Sequence, residues 1–248
     1  LSPLLHNHWI KENNIKAVYS RKELNDGELE NLISDVKTGK IDGVNVTVPF
    51  KEKIISYIDE LSPEADITKS VNTIFLNNGK INGHNTDIYG FEKALQNTKF
   101  NTLNKKIFIL GAGGVVPSII VALNKMKVSE ITLSNRTKNK AETLKNLYKH
   151  LNIVDWGEIP DFDMIINATS VGLNKQESLN LDFSKMKDKF FYDVIYNPNE
   201  TDFLKNAKKL KNTIENGKKM FVYQAAAAFK IWHGIEPKIN NKIFELLD

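Results

Sequence analysis

The 248-residue chain contains no cysteine. That single absence excludes disulfides, thiolate nucleophiles, cysteine-ligated zinc and iron–sulfur clusters together, and it fits a reducing compartment such as the cytoplasm. Long hydrophobic runs are missing too. The longest apolar stretch, residues 220–229, is interrupted by Gln224 and falls well short of the roughly 18–20 residues that span a bilayer. No secretory signal pattern opens the sequence, so no membrane association is expected. Arginine is scarce: Lys and Arg together number 34, yet only Arg21 and Arg136 are arginine. The net charge is +4, and the basic residues are scattered rather than gathered into a stripe, so no nucleic-acid partner is expected. Histidine is sparse and shows no ligand spacing. Asn-x-His at residues 82–84 is not a zinc pattern, and no metal is expected.

What is present is ordinary in bulk and specific in detail. A hydrophobic fraction of 41% and a charged fraction of 26% match a globular chain, with enough length for one large or two ordinary domains. Along the first part, the patterns predict a helix over residues 2–13, with Ser2 as N-cap and Pro3 at the first helical position. A strand over 17–23 follows, then a helix over 28–38 with Leu29, Leu32, Ile33 and Val36 on one face. A strand over 44–48 ends at Pro49, a helix runs over 52–61, and a hairpin of 71–76 and 80–83 turns around Asn77-Asn78-Gly79. Asp87 can cap a helix to about residue 96. From residue 106 onward, short apolar strands (106–110, 130–134, 163–167, 190–195) alternate with helices to about 127, over 138–150 and over 201–210. That alternation predicts a parallel α/β sheet. Two last helices are expected over 223–233 and 240–247.

The strand at 106–110 runs straight into Gly111-Ala112-Gly113-Gly114 and then a helix. Glycines at such a turn let backbone approach a pyrophosphate seated on the positive helix end. The third small position of the fingerprint is occupied by Val116. A cofactor without a 2′-phosphate is held by an acid about 20 residues on. Here that turn reads Ser134-Asn135-Arg136-Thr137-Lys138, with no acid. Arg136 and Lys138 suit a 2′-phosphate instead, which points to NADP; the competing reading is a solvated basic turn. In the first part, Lys51 follows a strand and a proline at a helix opening, facing the positive end of the helix dipole. That is poor for stability and suits proton transfer, though a solvated lysine is the plain alternative. Asn72 sits inside a strand, where Asn is disfavoured, and Gln224 interrupts an apolar helix.

Taken in order, these segments resemble shikimate dehydrogenase. The matching stretches are Leu-Ser-Pro-Leu-Leu-His-Asn (1–7), Asn-Val-Thr-Val-Pro-Phe-Lys (45–51), Ser-Val-Asn-Thr (70–73) and Gly-His-Asn-Thr-Asp-Ile-Tyr-Gly-Phe (83–91). Gly-Ala-Gly-Gly (111–114), Asn-Arg-Thr (135–137), Asn-Ala-Thr-Ser-Val-Gly (167–172), Asp-Val-Ile-Tyr-Asn-Pro (193–198) and Asn-Gly-x-x-Met with Gln-Ala (216–225) complete them. The resemblance implies an NADPH-dependent, reversible reduction of 3-dehydroshikimate to shikimate, on the route to chorismate and the aromatic amino acids. A quinate/shikimate dehydrogenase paralogue is the close alternative, and a cofactor-binding protein that has lost turnover is a more distant one.

The resemblance also implies roles. Lys51 and Asp87 would be the catalytic pair. Ser2 and Thr47 would face the substrate carboxylate with Tyr196 near it, and Asn72, Asp87, Lys51 and Gln224 would bind the ring hydroxyls. Gly111, Ala112, Gly113 and Gly114 would take the pyrophosphate, and Asn135, Arg136, Thr137 and Lys138 the adenosine 2′-phosphate. Thr169, Ile195, Gly217 and Met220 would line the nicotinamide. Two α/β domains are implied: a substrate-binding domain of residues 1–87 with 222–248, and a Rossmann-type NADP domain of residues 88–221. The expected partners are small molecules, and the expected state is a cytoplasmic monomer or homodimer. The family pattern begins earlier than Leu1, with a strand and a further serine, so the chain is expected to be a piece of a longer protein.

Overall fold

The computed structural model describes residues 1–174 and 177–248. The chain divides into two units, Leu1–Phe91 with Val222–Asp248, and Glu92–Phe221.

In the second unit, short strands rich in Ile, Leu and Phe run as a parallel sheet whose four central strands are largely buried. The strands are β5 (Lys106–Leu110), β6 (Glu130–Ser134), β7 (Asn152–Ile153), β8 (Met164–Asn167), β9 (Phe190–Asp193) and β10 (Thr213–Glu215). Their order is β10-β9-β8-β5-β6-β7, with every neighbouring pair parallel. This is the doubly wound dinucleotide-binding order, in which chain direction across the sheet switches between β5 and β8. Parallel strands covered on both faces are near-continuously apolar; β8 and β9 are buried at every position and apolar except at their ends, Asn167 and Asp193. Helices α5 (Val116–Lys125), α6 (Lys138–Leu147) and α7 (Asp202–Lys209) connect the strands. Phe108, Phe162, Phe191, Phe203 and Leu204 form the core on one side of the sheet.

The first unit is built on a four-stranded mixed sheet of β1 (Gly43–Asn45), β2 (Glu60–Leu61), β3 (Thr73–Asn77) and β4 (Lys80–His84), in the order β1-β3-β4-β2. The β3–β4 hairpin turns at Asn78-Gly79, with Asn77 already paired to Lys80; both turn residues have positive φ, as a two-residue primed turn demands. Helices α1 (Ser2–Glu12), α2 (Leu29–Lys37), α3 (Pro63–Thr68), α4 (Asp87–Gln96), α8 (Lys218–His233) and α9 (Asn241–Glu245) complete the chain, with α8 carrying it from one unit to the other. On α2, Leu29, Leu32, Ile33 and Val36 are all buried, as the spacing predicts.

Several local expectations are corrected. Residues 17–23 form no strand. The polar groups of Tyr19 are instead met by side chains: Asn7 Oδ1 accepts from its N–H, Asn7 Nδ2 donates to its carbonyl, both at 2.8 Å, and its hydroxyl donates to Asn45 Oδ1 at 3.0 Å. Val18 and Tyr19 alone in this stretch are of strand-favouring type, too little to hold a strand without a partner, and among the described residues no neighbouring segment completes a ladder with it. The helix expected over 52–61 is a 3-10 turn, Lys53–Tyr57. Beyond it the backbone is claimed by β4: Asp59 N–H donates to the Ile81 carbonyl at 2.9 Å, and Glu60–Leu61 pair with Asn82–Gly83. Ser2 is the first residue of α1 rather than its cap, which is Leu1. Helix α3 was not anticipated although Ser62-Pro63 carries its start signal: Ser62 Oγ accepts from Ala65 N–H at 3.1 Å.

Candidate active site

Three of the singled-out polar residues of the first unit meet. Lys51 Nζ donates to Asp87 Oδ2 at 2.5 Å, with the two side chains only 13% and 7% exposed. Asn72 Nδ2 donates to the other oxygen, Asp87 Oδ1, at 2.9 Å. A buried carboxylate is tolerated when a cation and further donors satisfy it, and here both oxygens are taken. Each partner is itself fixed. Asn72 Oδ1 accepts from Thr86 N–H at 2.9 Å and from Thr73 Oγ1 at 3.0 Å, and the Lys51 carbonyl accepts from Val71 N–H at 2.9 Å. Asp87 is therefore not spent on capping α4. Asn85 does that, its Oδ1 accepting from the N–H groups of Asp87 at 3.0 Å and Ile88 at 3.3 Å. Sequence reasoning missed Asn85; its signal is an Asn two residues before the helix start.

The remaining first-unit candidates stand on three other elements. Ser2 begins α1, Thr47 is exposed just past β1, and Gln224 lies half-buried on α8.

In the second unit, the turn after β5 has the character of an anion cradle. Gly111 has φ +106°, and a Cβ there would lie 2.7 Å from the Ala168 carbonyl, so only glycine fits. Its N–H donates to the Ser134 carbonyl at 2.8 Å. Ala112, Gly113 and Gly114 follow, and α5 opens with Pro117 in its first turn and no acidic residue there. The positive helix end thus keeps its field for an external anion. After β6, Asn135 Nδ2 donates to the Thr137 carbonyl at 2.8 Å, and Arg136 is exposed. Lys138 is engaged: its Nζ lies 2.6 Å from Asp155 Oδ1, so an acid does stand beside this turn, brought from 17 residues further along the chain.

The four residues expected at the nicotinamide follow β8 and β9 or open α8. Thr169 Oγ1 donates to Asn167 Oδ1 at 2.7 Å. The Ile195 carbonyl accepts from Gly217 N–H at 3.1 Å, and a Cβ on Gly217 would collide with the Val194 carbonyl. Met220 is buried. Tyr196 stacks on Phe221 with centroids 4.5 Å apart, and burial raises its hydroxyl pKa. Three polar residues here went unassigned in the sequence: Asn167, Asp193 and Thr201, all buried. The signal for Asn167 and Asp193 is polarity at the ends of otherwise apolar strands, and that for Thr201 is a threonine directly before a helical run.

Three family models match the chain in order: the Shikimate dehydrogenase substrate binding domain over residues 1–74, Shikimate / quinate 5-dehydrogenase over residues 92–203, and the Shikimate 5'-dehydrogenase C-terminal domain over residues 219–240. The shikimate dehydrogenase (NADP(+)) of Pelagibacter ubique strain HTCC1062 is 55% identical over 249 residues, covering 100% of this chain and 94% of its own. A crystal structure of a shikimate dehydrogenase in complex with NADP+ is similar with a TM-score of 0.92 at 35% identity, covering 100% of this chain and 90% of that one. The crystal structure of the Thermus thermophilus enzyme with NADP(H) and shikimate gives 0.89 at 29% identity, covering 99% and 92%.

Proposed function

The chain belongs to the shikimate dehydrogenase family, and from that premise we propose that it interconverts 3-dehydroshikimate and shikimate with NADP(H), Lys51 and Asp87 handling the proton. The observation that carries the chemistry is the buried Lys51–Asp87 pair braced by Asn72. Reduction of a ring ketone requires a proton at the oxygen as the carbon gains hydride. The Lys51 ammonium donates that proton, and the Asp87 carboxylate holds it in place and stabilises its charge. In the oxidative direction the neutral Lys51 amine takes the proton from the hydroxyl. Such general acid–base help is worth typically 10²–10⁴-fold. Asn72 and Gln224 hold ring hydroxyls, and Ser2, Thr47 and Tyr196 receive the substrate carboxylate.

When bound, the nicotinamide supplies or accepts the hydride. The side-chain-free backbone at Gly111 and the acid-free opening of α5 fit its pyrophosphate. Asn135, Arg136 and Thr137 meet the 2′-phosphate, with Arg136 as the main reader because Lys138 is shared with Asp155. Thr169, Ile195, Gly217 and Met220 line the nicotinamide. On this reading residues 1–87 with 222–248 are the substrate-binding part and residues 88–221 the cofactor-binding part. Family membership also carries the expectation of a cytoplasmic monomer or homodimer.

The test is a spectrophotometric assay with shikimate and quinate, each against NADP+ and NAD+. Turnover greatest with shikimate and NADP+ is expected. Absence of shikimate-dependent NADP+ reduction would overturn the reading.

A further inference from the structure

Asn167 and Asp193 are register partners at the ends of adjacent parallel strands, β8 and β9. Both side chains are fully buried, and neither has a role in the proton chemistry. Asp193 Oδ1 accepts from Ile195 N–H at 3.0 Å and from Asn167 Nδ2 at 3.2 Å. Its Oδ2 accepts from Thr201 Oγ1 at 2.6 Å, and Thr201 in turn caps α7. Asn167 spends its other groups on the loop after β8: Oδ1 accepts from Thr169 N–H at 3.1 Å and from Thr169 Oγ1 at 2.7 Å, and Nδ2 donates to the Val171 carbonyl at 3.1 Å. Thr169 Oγ1 closes the loop by accepting from Val171 N–H at 3.0 Å. One carboxylate therefore ties the loop after β8, the loop after β9 and the start of α7. Through the Ile195 carbonyl the tie extends to Gly217.

A carboxylate held only by neutral donors is an expensive way to fill a core position, because burying the charge costs more than burying an apolar side chain of similar size. What a carboxylate offers is several acceptor sites converging on one point. Leu or Val could fill the volume but would leave the Ile195 N–H, the Thr201 hydroxyl and one Asn167 donor unmet. Those donors belong to the loops at the carboxyl ends of the strands, where ligands of doubly wound sheets bind.

We propose that Asp193 is a positioning residue for cofactor binding: without touching the nicotinamide, it fixes the two loops that carry Thr169 and Ile195, and through Ile195 it fixes Gly217. This rests on the cofactor reading above. The substrate ring depends on it less, because Lys51, Asn72 and Gln224 lie in the other unit, and Tyr196 keeps its own anchor on Phe221.

The test uses the full chain as wild type, Asp193→Ala, Asp193→Asn and Thr201→Val, with NADP+ and shikimate varied separately. Hydrogen bonds to a charged group are worth enough that Asp193→Ala should raise the NADP+ KM roughly tenfold or more, with the shikimate KM changed by less than about threefold. Asp193→Asn keeps Oδ1 as acceptor, and the Thr201 hydroxyl can turn to accept from the new amide. It should return the NADP+ KM to within about threefold of wild type. Should Asp193→Ala fail to fold, Thr201→Val, which removes the donor to Asp193 Oδ2 together with the α7 cap, should lower Tm and raise the NADP+ KM by about threefold with the shikimate KM unmoved. Both KM values rising together, neither moving while Tm falls, or Asn failing to rescue would each reduce Asp193 to a packing role and overturn the proposal. Wild-type turnover separates the two ideas. If wild type shows none with shikimate, the functional reading fails. The Asp193 proposal is then decided by NADP+ titration calorimetry, where the same order of affinities, wild type close to Asn and well above Ala, is required.

Discussion

The two units each bury an aspartate and satisfy it by opposite means. Asp87 faces an ammonium, with Asn72 on its second oxygen. Asp193 faces only neutral donors: a hydroxyl, a backbone N–H and an amide. The first arrangement brings a transferable proton next to the carboxylate; the second offers none and serves geometry. The electrostatic consequence is visible at Asp193, whose pKa is pushed up to about 6 by burial, against the opposing pull of the Thr201, Ile195 and Asn167 hydrogen bonds. The first unit buries a second titratable group without any polar partner. His6 lies flat on Tyr19, centroids 4.3 Å apart, edge-on to Trp9, and neither ring nitrogen has a hydrogen-bond partner among the described residues. Burial, with a smaller contribution from His233, lowers its pKa to about 3. A buried charge can thus be paired, dissolved in dipoles or suppressed, and this chain uses all three.

The sharpest way to break the contrast is at the proton pair. Lys51→Ala should lower kcat by roughly 10²–10⁴-fold while changing either KM much less. Asp87→Asn should also lower kcat, and the double variant should fall short of additivity because the two act as a unit. Near wild-type kcat for Lys51→Ala would make the pair structural, no different in kind from Asp193.

Next in size is acid stability. The folded-state pKa of His6 lies below its unfolded value of 6.5, so between pH 6.5 and 3 the unfolded chain takes up a proton that the folded chain refuses. This contribution is complete above about pH 6.5 and is lost as pH falls, by about 3–5 kcal/mol on approaching pH 3. Denaturant titrations of wild type and His6→Phe across that range should show a shallower acid loss in the variant; parallel curves would mean that His6 titrates normally.

Asp193 has the opposite sign. Its folded pKa of about 6 lies above its unfolded value of 3.8, so its stabilisation is greatest below about pH 4 and is lost as pH rises through about 6, by about 2–3 kcal/mol. Asp193→Asn should remove that loss, gaining stability relative to wild type at pH 7 and losing the gain at pH 4. Identical differences at both pH values would contradict it.

The smallest effect is expected at the exposed turn. Arg136→Ala should weaken NADP+ by about 1.5–3 kcal/mol and leave NAD+ nearly unchanged, measured as Kd for both. Equal losses would make Arg136 structural. Comparison with Asp155→Ala, which releases Lys138 from its ion pair, would show how far that lysine shares the role.

The sequence by itself determined what neighbours along the chain can encode. The Asn78-Gly79 turn needs only two residues that accept positive φ. The face of α2 needs only its own spacing, and the parallel sheet of the second unit announces itself in the alternation of apolar strands with helices. The glycine turn after β5 and the acid-free turn after β6 are likewise local. Tertiary structure decided whatever depends on a partner far along the chain. Residues 17–23 form no strand because pairing is a property of two segments rather than one, and Val18 and Tyr19 alone do not supply it. Residues 58–61 leave the expected helix because β4 offers backbone partners. Lys138 meets an acid from residue 155, and Asp87 is released from capping because Asn85 takes that role. Asp193 reads in the sequence as one more aspartate near a strand end. Ile195 and Thr201 are its near neighbours along the chain, but only the adjacency of β8 and β9 brings Asn167 to it, and only burial there makes its charge costly enough to shift.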